Sequence, residues 1–113
     1  MPSEAVALPD LSGDYDVPRE RIAEFQERIE RIYLERDRAR GLAGTHMWFC
    51  EEVGELTRAL RRGKRDELEG EFADVLAWLA TLASITGVDL EKAAAGKYEK
   101  GCPRCAGTPC RCA

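Results

Sequence analysis

The sequence predicts an all-α, four-helix-bundle-like fold followed by a short cysteine-rich tail. Two observations support this fold class. Apolar residues recur at helical spacing along most of residues 18–100, and β-alternation, internal repeats and a Gly-rich phosphate loop are all lacking. A third observation sets the topology, because the connections between the helical segments are short and favour an up-and-down bundle.

The chain divides into three parts by composition. Residues 1–17 are rich in Pro, Asp, Ser and Gly without a period, and we expect a flexible N-terminal arm. Residues 18–100 form the predicted all-α domain. Residues 101–113 form the cysteine-rich tail, a possible zinc site.

The first helix is predicted over residues 18–40. Pro18 suits a first helical turn, and Gly41 suits the helix end. The apolar stripe has the i, i+3, i+7 and i+10 spacing of one helix face. It consists of Ile22, Phe25, Ile29 and Ile32.

The next three helices are predicted over residues 45–62, 66–86 and 89–99. Asp66 followed by Glu69 resembles a capping box, and Asp89 can cap the last helix. The second and third predicted helices each carry one apolar row, and we expect them to pack antiparallel through these rows. The rows are Phe49, Val53, Leu56 and Leu60, then Leu68, Phe72, Val75, Leu79 and Leu82.

Length and charge limit the classes of function. With 113 residues the chain has room for one domain, and its net charge of −4 without a basic patch gives no nucleic-acid-binding footprint. The N-terminus lacks a leader-like apolar run and no segment reaches the length of a membrane span, so we expect a soluble, cytoplasmic protein without a membrane partner.

Because short helices with one large apolar face rarely bury it alone, we expect a homodimer or a homotetramer.

Acidic side chains lie directly beside the two apolar rows. Residues three or four apart share a helix face, so each acid cluster forms one row that ends at a tryptophan. The rows are Trp48, Glu52, Glu55 and Ala59, then Glu71, Asp74 and Trp78. If the helices pack antiparallel, four carboxylates converge in a partly desolvated cleft, which favours a bound cation. Solvated helix faces are the alternative in a chain this rich in charge.

Carboxylate oxygens suit Mg²⁺ or Mn²⁺ better than zinc. A ferritin-like di-iron site requires Glu-x-x-His elements, and His46 is not so placed. Magnesium held by carboxylates usually binds substrate phosphates, which implies attack of an activated water on phosphorus. Glu51, close to Glu55 on the helix, is placed to bind a metal or to position that water. Trp48 and Trp78 are placed to line a base pocket or to fill the bundle core.

At these residues the sequence resembles the MazG-like all-α nucleoside triphosphate pyrophosphohydrolases. The resemblance covers about residues 20–98 and is carried by Glu51-Glu52-x-x-Glu55 followed by Glu71-x-x-Asp74. It implies Mg²⁺-dependent cleavage of a nucleoside triphosphate between the α- and β-phosphates, giving a monophosphate and pyrophosphate.

The resemblance also implies residue roles. Four carboxylates would be metal ligands, and Glu51 would assist catalysis as a ligand or as a base that orients the water. Lys97, with Tyr98 beside it, lies where such families often keep a basic residue for the phosphates. The Asn that often follows this Lys is absent, because the chain continues with Tyr98, Glu99 and Lys100. The ligands carried over are Glu52, Glu55, Glu71 and Asp74.

The tail has the pattern C-x₂-C-x₄-C-x-C, formed by Cys102, Cys105, Cys110 and Cys112. Thiolates at this density usually bind zinc tetrahedrally, and a metal can supply the folding energy that the few apolar residues of the tail cannot. The alternatives are disulfides or redox chemistry, a site shared between subunits, and a disordered end.

Two rival functions follow from the same residues. In the first, the chain is a non-catalytic helical adaptor whose cysteine tail binds a partner, and its acids are solvent-exposed. In the second, it is a pyrophosphatase for another nucleotide, such as phosphoribosyl-ATP. The sequence does not separate these substrates.

Overall fold

The computed structural model describes residues 19–113, and the predicted arm over residues 1–17 lies outside them. Three helices make up the described part: α1 spans Ile22–Arg62, α2 spans Arg65–Ile85 and α3 spans Leu90–Tyr98. The described residues contain no strand, so the all-α fold class is confirmed.

Helix α1 is broken at Gly41. This residue has φ 80° and ψ 175°, a conformation that only glycine adopts readily. A straight helix of this length would extend about 60 Å, whereas the longest dimension of the molecule is 42 Å. The break therefore separates a first arm, residues 22–40, from a second arm, residues 42–62. These arms correspond to the first two predicted helices, joined by one residue instead of a loop.

The ends of the remaining helices agree with the sequence in part. Gly63 ends α1 in a left-handed conformation, with its N–H bonded to the carbonyl of Ala59 at 2.9 Å. The carboxylate of Asp89 caps α3 by accepting the N–H of Lys92 at 3.0 Å, as predicted. The predicted cap at Asp66 is wrong, because α2 begins at Arg65 and Asp66 lies within its first turn.

A buried glutamine joins all three helices. The side-chain amide of Gln26 donates to the Ser84 hydroxyl at 3.1 Å and to the Val88 carbonyl at 2.8 Å, and its oxygen accepts the N–H of Leu90 at 3.0 Å. The first arm thus runs alongside the C-terminal half of α2. The second arm runs back along the N-terminal half of α2, because only Gly63 and Lys64 connect them.

The predicted packing through the apolar rows is wrong for four of their nine members. Each of the two rows leaves two large residues exposed. These are Val53 at 38%, Leu60 at 54%, Phe72 at 53% and Leu79 at 39%. Within one chain the second arm and α2 instead face each other through the rows that carry the acids and tryptophans.

No described helix is by itself long and apolar enough to cross a membrane. Helices α2 and α3 pass such a test together, by length and composition, across a 97° bend.

Candidate functional site

Three of the four carboxylates expected to converge do so. One oxygen from each of Glu52, Glu71 and Asp74 lies within 4.8 Å of the others. Glu52 comes from the second arm of α1, and the other two lie one turn apart on α2. The short Gly63–Lys64 connection brings the two helices together antiparallel, so the cluster is a product of this helical hairpin.

The electrostatics of this cluster favour a cation. Burial, followed by the negative charges of Asp74 and Glu71, raises the pKa of the Glu52 carboxyl. The Oε2 atom of Glu71 is buried and has no hydrogen-bond partner among the described residues. A buried anionic oxygen without a partner is costly, and a divalent ion with oxygen preference would satisfy it. The donor set therefore fits Mg²⁺ or Mn²⁺.

Glu55 and Glu51 lie outside the group of three. The half-buried Glu55 forms an ion pair with Arg58, one turn further along α1. It still acts on the cluster, because its charge contributes to the raised pKa of Glu52. Glu51 is solvent-exposed. Its assisting role stays a prediction.

The two tryptophans stack on each other beside the carboxylates. The ring centroids of Trp48 and Trp78 are 6.0 Å apart and the ring planes differ by 12°. The guanidinium of Arg40 lies 4.8 Å from the Trp78 centroid, within cation–π range. Because Trp48 is 47% exposed, the core-filling interpretation does not hold for it. The pair instead forms an aromatic wall that reaches solvent.

A buried polar network behind this wall was missed by the sequence reasoning. The carboxylate of Asp37 is buried, accepts from the Arg40 guanidinium at 3.0 Å, and accepts from the Thr81 hydroxyl at 3.2 Å. Arg40 also lies 3.4 Å from the hydroxyl of Thr45. The available signal was the position of Asp37, eight residues after Ile29 on the inward face of the first arm.

This network lines a cavity that opens beside the carboxylate cluster. The cavity has a volume of about 240 Å³. Enclosed sites for whole ligands are usually larger, about 300–1,000 Å³, so one chain encloses part of a nucleotide at most. Its walls are formed by Ile29, Tyr33, Arg36, Asp37, Arg40, Asp74, Ala77, Trp78 and Thr81.

Lys97 and Tyr98 lie at the exposed end of α3, where the Lys97 ammonium is 5.7 Å from the Tyr98 ring centroid. The hydrogen bonds described between α3 and α1 lie near the start of the first arm, where Glu91 accepts the N–H of Ala23 at 3.2 Å and Gln26 accepts the N–H of Leu90 at 3.0 Å. The clustered carboxylates lie elsewhere, on the second arm and on α2. The phosphate role of Lys97 and Tyr98 therefore stays a prediction.

The four tail cysteines form a separate cluster. One sulfur from each lies within 4.8 Å of the others. Backbone N–H groups, that of Cys105 first, lower the pKa of the Cys102 thiol to about 6. The neighbouring thiols, that of Cys110 first, raise the pKa of Cys112 to about 11. This cluster uses none of the residues of the carboxylate site.

Comparison with known proteins gives one family. A sequence model described as the MazG nucleotide pyrophosphohydrolase domain matches residues 41–106, more than half of the chain. The match begins at the break in α1 and includes the carboxylate cluster and both tryptophans. A search of curated proteins finds no match.

Proposed function

The chain belongs to the MazG nucleotide pyrophosphohydrolase family, and from this premise we propose that it is a Mg²⁺-dependent nucleoside triphosphate pyrophosphohydrolase. In the proposed reaction water adds to phosphorus and the bond that bridges the α- and β-phosphates breaks. The products are a nucleoside monophosphate and pyrophosphate. Mn²⁺ has the same preference for oxygen ligands and is the expected substitute.

The observation that carries this proposal is the convergence of Glu52, Glu71 and Asp74 beside a solvent-reaching tryptophan pair. The buried Glu71 oxygen without a partner and the raised pKa of Glu52 both indicate a site suited to positive charge. A triphosphate brings more negative charge to the same place. A divalent cation between them is therefore the simplest way to bring substrate and carboxylates together.

The three clustered carboxylates would hold the ion, with Glu55 as a fourth ligand once it leaves Arg58. When bound, Mg²⁺ neutralises the charge that develops on the phosphate oxygens. Glu51, exposed on the same helix, is proposed to orient the attacking water and to accept its proton. These assignments extend the family resemblance to individual residues.

The aromatic wall and the cavity behind it are the proposed contacts for the nucleoside. An exposed tryptophan face offers stacking to any base, so this contact gives affinity with little base selectivity. The hydrogen-bonding groups of Asp37 and Arg40 belong to residues that line the same cavity as Trp78. Lys97 and Tyr98 are proposed phosphate contacts.

We also propose that the working form is a homodimer or a homotetramer. Val53 and Leu60 on the second arm and Phe72 and Leu79 on α2 are large apolar residues left exposed. Exposed apolar surface of this kind suits an interface with another copy of the chain. A second copy that covers these rows would also add walls to a cavity too small for a whole nucleotide.

The test is a panel of NTPs and dNTPs, together with phosphoribosyl-ATP, incubated with the purified protein and Mg²⁺. Pyrophosphate is measured separately from orthophosphate. We expect pyrophosphate from at least one nucleotide, and a loss of roughly a hundredfold or more in Asp74→Asn and Glu71→Gln, because changes even in residues that only support metal ligands cost 10–100-fold.

The matched control is Glu69→Gln, which removes an exposed carboxylate from the same helix and should keep full activity. Pyrophosphate release from none of the substrates would contradict the proposal. Undiminished pyrophosphate release by Asp74→Asn would contradict the assignment of the carboxylate cluster as the catalytic metal site. Activity confined to phosphoribosyl-ATP would mean that this nucleotide, and not a nucleoside triphosphate, is the substrate. If acidic variants bind as much Mg²⁺ as the unchanged protein, the non-catalytic adaptor is favoured.

A further inference from the structure

The cysteine tail is a second cluster of possible metal ligands, distinct in chemistry and position from the carboxylate site. It directly follows α3, with Gly101 at φ 99° and its N–H bonded to the Tyr98 carbonyl at 3.0 Å. The family match ends at residue 106, between the two cysteine pairs. The proposed hydrolase function therefore does not account for the complete cluster.

The sulfur separations suit one tetrahedral ion. The sulfur of Cys102 lies 3.7 Å from that of Cys112 and 3.5 Å from that of Cys110. Four thiolates at about 2.3 Å from a zinc ion are about 3.8 Å from one another. All five cysteines of the chain are free thiols.

Backbone N–H groups point at the sulfurs. Cys105 accepts from Gly107 at 3.4 Å and from Arg111 at 3.3 Å, and Cys110 accepts from the N–H of Cys112 at 3.4 Å. Donors arranged in this way offset negative charge on thiolates. Four thiolates around one divalent ion carry a net charge of −2, so they need such donors.

The tail is tightly folded although it has little to bury. The N–H of Cys102 bonds to the Gly107 carbonyl at 3.0 Å, and the N–H of Ala106 returns to the Cys102 carbonyl at 2.7 Å. A Cβ added at Gly101 would lie 2.6 Å from the Thr108 hydroxyl. Of residues 101–113, only Gly101, Cys102 and Gly107 are even half-buried. Hydrophobic burial does not explain this order, whereas a bound metal does.

We propose that Cys102, Cys105, Cys110 and Cys112 bind one Zn²⁺ as a closed, four-thiolate structural site that folds residues 101–113. All four positions of the ion are filled by the protein, so the site has no place for water or substrate. Binding releases the protons of the thiols that are still protonated. The zinc holds the tail in place and takes no part in hydrolysis.

The test measures zinc in the full chain, purified under reducing conditions from zinc-supplemented cells without chelator. We expect about one zinc per chain in the unchanged protein, as a four-thiolate site binds one ion. The Cys102→Ser/Cys110→Ser double variant removes one ligand from each pair, and its zinc content should fall at least tenfold. Cobalt substitution should give thiolate-to-cobalt charge-transfer bands in the unchanged protein only.

The matched control is Cys50→Ser, which removes the exposed cysteine outside the tail and should keep the full zinc content. Far-UV circular dichroism checks that the helices of the double variant remain folded. Zinc far below one per chain in the unchanged protein, iron in its place, or zinc retained by the double variant would each overturn the proposal. A protein mass lower by four hydrogens, which indicates two disulfides, would also overturn the proposal. The readout uses no nucleotide, so it stands whether or not the hydrolase proposal fails.

Discussion

The carboxylate cluster and the cysteine cluster are built in opposite ways. Glu52 and Asp74 are brought together by the packing of two long helices. The cysteines lie within residues 102–112 and are brought together by local turns and N–H···S hydrogen bonds. The first cluster therefore depends on a scaffold that folds without it, whereas the second has almost no scaffold apart from its own ligands.

Because of this difference, the two proposed metals should have different roles. The carboxylates form an incomplete set of hard ligands, half-exposed, which leaves room for a phosphate on the ion. The thiolates form a complete set of soft ligands, which leaves room for nothing else. Damage to the helices should therefore destroy the first site and spare the second. The predictions that follow test this separation, from the largest expected effect to the smallest.

Removal of the Asp37–Arg40 pair in the first arm should have the largest effect on stability. Asp37→Ala leaves Arg40 without its carboxylate partner and Thr81 without its acceptor, and we expect the free energy of unfolding to fall by about 2–4 kcal/mol. Chemical denaturation followed by circular dichroism measures it. Zinc content of the folded fraction should be unchanged.

The control for this variant is Glu35→Ala, an exposed acid on the same arm, which should change stability by less than about 0.5 kcal/mol. If Asp37→Ala loses its zinc while still folded, the tail depends on the helices and the proposed separation is wrong.

Substitution of Gly41, at the break in α1, should have the next largest effect on stability. Gly41→Ala places a side chain at φ 80° and ψ 175°, and we expect a loss of about 1–3 kcal/mol from backbone strain alone. Steric clash does not contribute, because a Cβ at Gly41 would meet no atom within 4 Å. Thermal unfolding measures the change.

Gly54→Ala is the control with the opposite sign. Gly54 lies inside the second arm with open space around it, so alanine should stabilise by about 0.5–1 kcal/mol. Equal effects of the two substitutions would show that the conformation of Gly41 is not what bends α1.

Removal of charge repulsion within the carboxylate cluster should have the smallest effect on stability. A carboxyl whose pKa is raised on folding adds stability below its unfolded pKa and loses it as pH rises through the folded pKa. Glu52 is in this class, so at pH 7 without divalent cations it opposes folding. Glu52→Gln should then raise Tm by about 2–4 °C, roughly half a kcal/mol.

The pH and metal dependence sharpen this last prediction. The difference in Tm should vanish as pH falls below the ordinary carboxyl value of 4.5. Added Mg²⁺ should raise the Tm of the unchanged protein and have little effect on Glu52→Gln. A variant that is less stable than the unchanged protein in metal-free buffer at pH 7 would mean that Glu52 is not repelled by its neighbours.

Local signals in the sequence predicted the helices well. The i, i+3, i+7 spacing, Gly41 and Asp89 each act over a few residues, and α2, α3 and both arms of α1 lie close to their predicted bounds. The cap at Asp66 failed because Lys64 and Arg65 already begin the helix, which leaves Asp66 in the first turn. Such a shift of one or two residues is not visible in residue type.

The site was predicted less completely. Helical spacing placed Glu52, Glu71 and Asp74 in facing rows, and they do converge. The same spacing also grouped Glu55 with them, but Arg58 is one turn away and pairs with it. Asp37 was missed, because a single acid on an apolar stripe becomes informative only when its buried partners are seen.

What the sequence by itself determined is the set of chemical groups and the helix face on which each one lies. Periodicity and residue type are enough for this, since both act over a few residues. Only the tertiary structure decided that the acidic rows of the second arm and α2 face each other while Val53 and Phe72 remain exposed. The bend at Gly41 separates the two arms, and the Asp37–Thr81 contact joins residues 44 positions apart in the chain. The energy of such long-range contacts is not encoded in any local pattern.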